Sequence, residues 1–273
     1  MIAQDVSAPS LLSFNGAEVR ERFNEIENGI RGAIDFVRLN FKVEVQTNLP
    51  YPSMIVPLAV FFAVEDGQGL RLKDAQREEL VLWFWRSCFS RRYSSAVLRN
   101  LKRDLVEAYK LRIKGNPGLA DFKGPTIDSD WFLNNRFTIS SVNTRTFILL
   151  LARHSPRSFV SGTPLDLSRV LKTYNRTEFH HLFPQSFLKG QSRSANDINR
   201  LANIAFLSGA DNKTLGGVAP SIYKSRMDHD HLEEVLESAA VPTSLFDDDY
   251  ERFLAERAQI LSGIANGLTS WIS

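Results

Sequence analysis

The chain has 273 residues, of which 43% are hydrophobic and 23% are charged, for a net charge of +2. This length and composition suffice for one large domain or two smaller ones, and they exclude a disordered or fibrous protein. The apolar segment 54–64 is too short to span a bilayer, the first residues lack the pattern of a signal peptide, and the single cysteine excludes an internal disulfide. We therefore expect a cytoplasmic bacterial protein with no membrane partner.

Helices are predicted through the first part of the chain, because apolar residues recur there at three- and four-residue spacing. Asn15 is the expected cap of the first helix, prolines interrupt the chain before the second, and the sequence GQG at 67–69 ends the second. A loop follows at 115–125. The predicted helices cover residues 15–41, 54–64, 72–89, 91–113, 131–137 and 142–153.

Charge is distributed unevenly along the chain. Residues 86–114 carry nine basic side chains against two acidic ones, residues 170–227 have a net charge of +5, and residues 228–273 have a net charge of −8. A solvated helix face is one interpretation of the basic segment, and a polyanionic partner such as DNA is the other. On the second interpretation, the basic face contacts phosphates through Arg91, Arg92, Arg99, Lys102 and Arg103.

The character of the sequence changes near Thr177. The aromatic and β-branched segment TEFHHLFPQSFL predicts a short strand that Pro184 ends, and NIAFL at 203–207 predicts a second strand. Ser208 is the expected cap of a short helix that Gly216 terminates. Two strands and a helix, with histidines on the first strand and an asparagine on the helix, make a compact place to hold one metal ion.

These segments resemble the HNH, or ββα-metal, nucleases through EFHHLFPQ at 178–185, NRLAN at 199–203 and LSGADNK at 207–213. They are particularly similar to the C-terminal nuclease half of GmrSD-type modification-dependent (type IV) restriction enzymes. The segments LPYPSMIVPLAVFF and LWFWRSCFSRRYSSAVL look like the helical portion of those enzymes, so the resemblance covers residues 14–227.

The resemblance implies a fold class that is mainly α with an embedded ββα-metal HNH motif. A helical domain with a basic face would occupy residues 1–165, the nuclease motif residues 166–227, and acidic C-terminal helices residues 228–273, packing on the rest.

The resemblance also implies roles for individual residues. Among the catalytic residues, His181 would be the general base and Asn203 would fix the geometry of the loop. His180 and Asn212 would hold the metal, and Glu178 would be an extra ligand. Chemistry agrees with these roles, because an imidazole is half deprotonated near neutral pH. Regular strand alternation points adjacent histidines to opposite faces, so a shared site requires a bent or terminal strand position.

The expected cofactor is one divalent metal ion. Many members of the family carry Asp or Glu at the position of His180, so the ion stays open between Mg²⁺ or Mn²⁺ and a later transition metal such as Zn²⁺ or Ni²⁺. Lys213, next to the asparagine ligand, is an expected DNA contact. The family also has an NTP-handling and recognition domain, and because the sequence lacks GxxxxGK[ST], this part is expected to be a further domain or a separate subunit.

The predicted function is a metal-dependent DNA endonuclease or nickase, the nuclease half of a phage-defence restriction system acting on modified or unmodified DNA. Three alternatives remain: a catalytically idle DNA-binding or assembly subunit, an HNH ribonuclease toxin, and two histidines that merely pack in a strand. His229 and His231 could form a second metal site, but Asp230 and Glu233 match a capping box that opens a helix there.

Overall fold

The protein is mainly helical. A computed structural model describes residues 8–13, 15–65 and 70–270, and the predicted helix end at 67–69 lies outside these ranges. No helix in the described ranges is long and apolar enough to cross a membrane. The helices are α1 (Ala8–Leu12), α2 (Gly16–Glu21), α3 (Phe23–Phe41), α4 (Ile55–Phe62), α5 (Asp74–Phe89), α6 (Val97–Lys114), α7 (Ser129–Asn134), α8 (Val142–Ala152), α9 (Leu167–Thr173), α10 (Gln185–Gly190), α11 (Ala195–Ile198), α12 (Gly209–Leu215), α13 (Pro220–Tyr223), α14 (Leu232–Ser238) and α15 (Tyr250–Thr269). The strands are β1 (Phe179–His181) and β2 (Ile204–Phe206).

The chain divides into two compact units. Among the described residues, the first comprises 8–13, 15–41, 51–65, 70–125 and 268–270, and the second comprises 42–50 and 126–267. Residues 126–165 are in the same unit as the two strands, whereas the resemblance implies that they belong to the helical domain.

In the first unit, α4 packs against α3 and α6, and α5 is largely buried. Asn15 caps α2 as expected, since its side-chain oxygen accepts from two backbone N–H groups of the first turn. α3 and α4 approach closely at Gly29, where a Cβ would lie 2.5 Å from the carbonyl oxygen of Ala59. Phe41 and Phe84 stack with ring centroids 3.6 Å apart. The predicted apolar stripe on α3 is only partly buried, because Phe23, Ile30 and Ile34 are exposed.

The basic helix begins later than predicted. Arg91 and Ala96 have positive φ angles of 53° and 49°, which an α-helix interior does not accept, so residues 91–96 form a turn and α6 starts at Val97. The turn directs Arg92 to Asp104, which is fully buried on α6. Both Asp104 oxygens accept from Arg92 at 2.8 Å.

Asp104 has further partners. It accepts from the Tyr93 hydroxyl at 2.5 Å, from the Trp83 indole at 3.3 Å and from Arg103 at 3.0 Å. Burial is the main cause that raises the pKa of Tyr93, and the Asp104 carboxylate adds to it. The hydroxyl therefore stays protonated as a donor. Asp104 thus ties α5, the 91–96 turn and α6 together.

The second unit holds the two-stranded antiparallel sheet. β1 and β2 pair Phe179 with Phe206, His180 with Ala205, and His181 with Ile204. Both predicted strands are present, though each is only three residues long. The turn after β1 is covered by α15, where the rings of Tyr250 and Phe253 lie 5.2 and 5.1 Å from that of Phe183.

Replacing the buried carboxylate of the first unit tests this description. Asp104→Ala leaves the Arg92 guanidinium, which is nearly buried, without its counter-charge, so we expect a loss of about 3–5 kcal/mol of unfolding free energy. Chemical denaturation measures the loss. Glu27→Ala, which removes a solvent-exposed ion pair with Arg31, is the matched control and should cost less than about 1 kcal/mol. Equal effects of the two substitutions would contradict the central place of Asp104.

Candidate active site

A cavity of about 370 Å³ lies between the end of β1 and the C-terminal half of α12. Both histidines of β1 contribute to it, which is compatible with their adjacency because His181 is the last residue of the strand. The helix contributes Asn212 and Lys213. The full lining is His180, His181, Pro184, Gln185, Ser186, Asn212, Lys213, Gly216 and Gly217.

His181 is oriented by an asparagine from a different element. Its Nε2 lies 3.0 Å from the Oδ1 of Asn199, and the amide nitrogen of Asn199 donates to the Ala195 carbonyl at 2.7 Å. The amide oxygen facing the ring can only accept, so Nε2 carries the proton when the imidazole is neutral. The basic lone pair is therefore on Nδ1.

His180 has the same tautomer for the same reason. Its Nε2 lies 2.9 Å from the carbonyl oxygen of Thr177, which can only accept. The neutral ring then has its lone pair on Nδ1, the nitrogen that is suited to bind a metal ion. Both histidines are half-buried, and each is held through its Nε2.

Asn203 is a structural link beneath the cavity. Its side chain is fully buried, accepts from the Phe183 N–H at 2.9 Å, and donates to the carbonyls of Phe183 and Ile198 at 3.2 and 3.0 Å. Its own carbonyl accepts from Leu182 at 2.9 Å. These bonds join the turn after β1 to the residues before β2, so the end of the histidine strand has a fixed position.

α12 presents Asn212 and Lys213 to the cavity. Ser208 caps the helix as predicted, with its hydroxyl oxygen 3.0 Å from the Asp211 N–H. The buried Asp211 carboxylate accepts from the Phe159 N–H at 3.1 Å, which anchors the helix to the loop after α8. At its other end the backbone turns at Gly216, where φ is +75°. Asn212 is half-buried and Lys213 is exposed.

Gly217 brings the opposite wall of the cavity close. The Ser186 hydroxyl donates to the Gly217 carbonyl at 2.7 Å, and a Cβ on Gly217 would collide with that hydroxyl oxygen. A larger residue would displace the Ser186 hydroxyl and break its hydrogen bond to the Gly217 carbonyl.

The donors that line the cavity fit a divalent metal ion. They are imidazole nitrogens and an amide oxygen, from His180, His181 and Asn212, and both are ordinary ligands of such ions. In the described part of the chain, no three His, Cys, Asp or Glu side chains lie close enough together to hold a metal ion. An ion held through two of these residues would keep positions for water and for phosphate oxygens.

The structure brings together His180, His181, Asn212 and Lys213 among the predicted site residues, with Asn203 beneath them. The half-buried Glu178 is not part of the cavity lining. Its backbone carbonyl instead accepts from Leu207 at 3.0 Å, which extends the pairing of the two strands.

The five predicted DNA-binding residues of the basic segment belong to the first unit. Arg92 binds Asp104, and Arg103 donates to Asp104 and to three backbone carbonyls of the 118–121 loop. Arg91 lies in the turn before the helix. Arg99 and Lys102 are exposed on α6.

The predicted capping box at Asp230 and Glu233 is wrong, because α14 begins after His231 and no side chain caps its first turn. Asp228 instead orders the turn before the helix. Its Oδ1 accepts from the N–H groups of Asp230 and His231, and its Oδ2 lies 3.2 Å from the His231 ring. Asp228 lies close enough to do this because its own N–H donates to the Phe159 carbonyl. Asp228 and His231 therefore belong to the turn that precedes α14.

Two residues that support the site were given no role from sequence. Asn199 orients His181 and stands at the first position of the quoted segment NRLAN, so a signal for it was present. Arg257 on α15 is fully buried and donates to the carbonyls of Ala202 and Ile204, on either side of Asn203. No local pattern indicates this contact, because more than fifty residues separate the partners.

Comparison with known proteins identifies a distant relative. No protein-family model matches the chain. An uncharacterized protein of the archaeon Methanocaldococcus jannaschii is 22% identical over 181 residues, which cover 65% of this chain and 29% of the archaeal protein. The chain thus spans less than a third of the length of that relative.

Substitution of Asn203 tests the link beneath the cavity. Asn203→Ala removes three side-chain hydrogen bonds and leaves buried backbone groups unpaired, so we expect a loss of about 2–4 kcal/mol in unfolding free energy. Asn203→Asp has nearly the same shape but cannot donate when ionised, and it should also destabilise the protein. Thermal and urea unfolding give the values.

The exposed Asn196→Ala on α11 is the control and should change stability by less than about 0.5 kcal/mol. A neutral effect of Asn203→Asp would mean that Asn203 only fills space.

Proposed function

We propose that the protein is a metal-dependent DNA endonuclease or nickase of the HNH type. The observation that carries the proposal is the convergence of His180, His181, Asn212 and Lys213 on one cavity, formed by the sequence order strand, strand, helix. The proposed role is the nuclease half of a phage-defence restriction system. Because the archaeal relative is uncharacterized, the support comes from the site and from the sequence resemblance.

His181 is the proposed general base. Asn199 holds its Nε2–H, so Nδ1 is the nitrogen that takes a proton from water as the water oxygen bonds to phosphorus. The bond between phosphorus and the leaving oxygen then breaks, and the leaving oxygen takes a proton from solvent. The positions of Asn199 and Asn203 favour one orientation of the ring before substrate arrives.

His180 and Asn212 are the proposed ligands of one divalent metal ion, with Mg²⁺ or Mn²⁺ as the expected ion and Zn²⁺ or Ni²⁺ as alternatives. When bound, such an ion stabilises negative charge on the phosphate and on the leaving oxygen. Thr177 keeps His180 in the tautomer that a ligand needs. Lys213, at the exposed rim, is suited to contact a phosphate of the DNA backbone.

The exposed cations of α6 are a proposed second contact with DNA. Arg99 and Lys102 are the members of the predicted set that remain on the helix surface. Arg92 and Arg103 instead maintain the fold around Asp104. Recognition of modified DNA and any use of NTP are assigned to a partner domain or subunit, because the sequence lacks a phosphate-binding loop motif.

Variants at the cavity should separate by role. His181→Ala should lower the rate of plasmid nicking by about a hundredfold or more, because it removes a positioned base, and leave Mn²⁺ affinity near that of the wild type. His180→Ala and Asn212→Ala should weaken Mn²⁺ binding, so part of their rate should return at high metal concentration. Nicking kinetics and calorimetric metal titration give the two readouts.

His231→Ala is the matched control, since this exposed histidine lies outside the cavity, and it should retain activity and metal affinity. Full activity in all three cavity variants would contradict the nuclease proposal. DNA binding by the wild type without any cleavage would favour the idle assembly subunit, and faster cleavage of RNA than of DNA in a parallel digest would favour the ribonuclease.

Charge reversal on α6 should change the salt dependence of DNA binding. Arg99→Glu and Lys102→Glu each remove one proposed phosphate contact, so each should reduce the slope of log Kobs against log salt by about 0.9 for duplex DNA. Fluorescence anisotropy over a salt series measures the slope. Arg31→Glu, on an exposed face of α3, is the control. An unchanged slope in both α6 variants would exclude this face as a DNA contact.

A further inference from the structure

α15 is bound to residues 197–204, the segment that contains Asn199 and Asn203. Arg257 donates from Nη1 to the carbonyls of Ala202 and Ile204, at 2.7 and 2.9 Å. Its remaining donors reach the carbonyls of Ala239 and Ala240, at 3.0 and 3.2 Å. All four of these bonds go to neutral carbonyl oxygens, although the side chain is fully buried.

A buried cation held by four carbonyls is a costly arrangement, so its position is informative. Burial lowers the pKa of Arg257 to about 9, which still leaves the guanidinium charged at neutral pH. Its planar group can bond several carbonyls at once, which a lysine ammonium does with less directional control. Two of the four carbonyls flank Asn203, so the guanidinium fixes the backbone on both sides of that residue.

A second residue of α15 acts on the same segment. The hydroxyl of Tyr250 donates to the Asp197 carbonyl at 2.7 Å, two residues before Asn199. Burial raises the pKa of Tyr250, so the hydroxyl stays a donor across the neutral range. Arg257 and Tyr250 lie on one helix and hold the two ends of residues 197–204. This segment supplies Asn199 to His181 and Asn203 to the turn after β1.

We infer that Arg257 is a positioning residue of the active site, acting with Tyr250 to hold Asn199 and Asn203 in register beneath the cavity. The expected effect on kcat rests on the proposed function. The expected effect on amide exchange does not. The acidic C-terminal region, through α15, is then part of the catalytic unit.

Arg257→Lys tests the inference because it keeps the charge but loses the planar set of donors. We expect kcat for DNA nicking to fall by tenfold or more, with KM within twofold of the wild type, at a temperature well below the unfolding midpoint. The amide proton of Phe183, which is bonded to Asn203, should exchange with solvent at least tenfold faster. Amides in the middle of α8 should exchange as in the wild type.

Arg252→Lys is the matched control on the exposed face of α15, and it should leave kcat and Phe183 exchange unchanged. Tyr250→Phe removes only one hydroxyl and should accelerate exchange at the Asn199 amide. This variant tests the inference even if Arg257→Lys does not fold. Unchanged exchange at Phe183 in folded Arg257→Lys, or at Asn199 in Tyr250→Phe, would overturn the inference. If the wild type does not cleave DNA, the proposed function fails, while the exchange measurements still decide whether Arg257 positions Asn203.

Discussion

The buried amide of Asn203 is the contact on which the candidate site depends. β1 and β2 are only three residues long, and a two-stranded sheet of that size has little stability of its own. The side chain of Asn203 supplies three further hydrogen bonds between the turn after β1 and the residues before β2. Because the last residue of β1 is His181, this amide determines where the proposed base lies relative to α12.

Buried polar groups have a corresponding role in each unit. In the first unit the carboxylate of Asp104 joins α5, α6 and the turn between them. In the second unit the guanidinium of Arg257 joins α15 to the backbone at Ala202 and at Ala239. Such groups are costly to bury, so each stabilises the fold only while all its partners are present. Short helices and short strands thus obtain fixed positions that propensity alone would not give them.

Local patterns predicted much of this architecture. The caps at Asn15 and Ser208, both strands, and most helices follow from residue spacing and capping chemistry, which act over a few positions. The start of the basic helix did not follow, because the positive φ angles at Arg91 and Ala96 serve the long-range contact between Arg92 and Asp104. Arg257 was missed for the same reason, since its partners lie on distant segments.

The orientations of the two histidines depend on one contact between separate segments and one local contact. The orientation of His181 comes from Asn199, and that of His180 from the carbonyl of Thr177, so the two adjacent imidazoles are held by separate partners.

Anomalous diffraction from crystals soaked in MnCl₂ tests most directly whether this cavity is a metal-dependent reaction centre. We predict one manganese peak bound by His180 and Asn212. No peak in the cavity, or a peak only beside Asp228 and His231, would contradict this prediction.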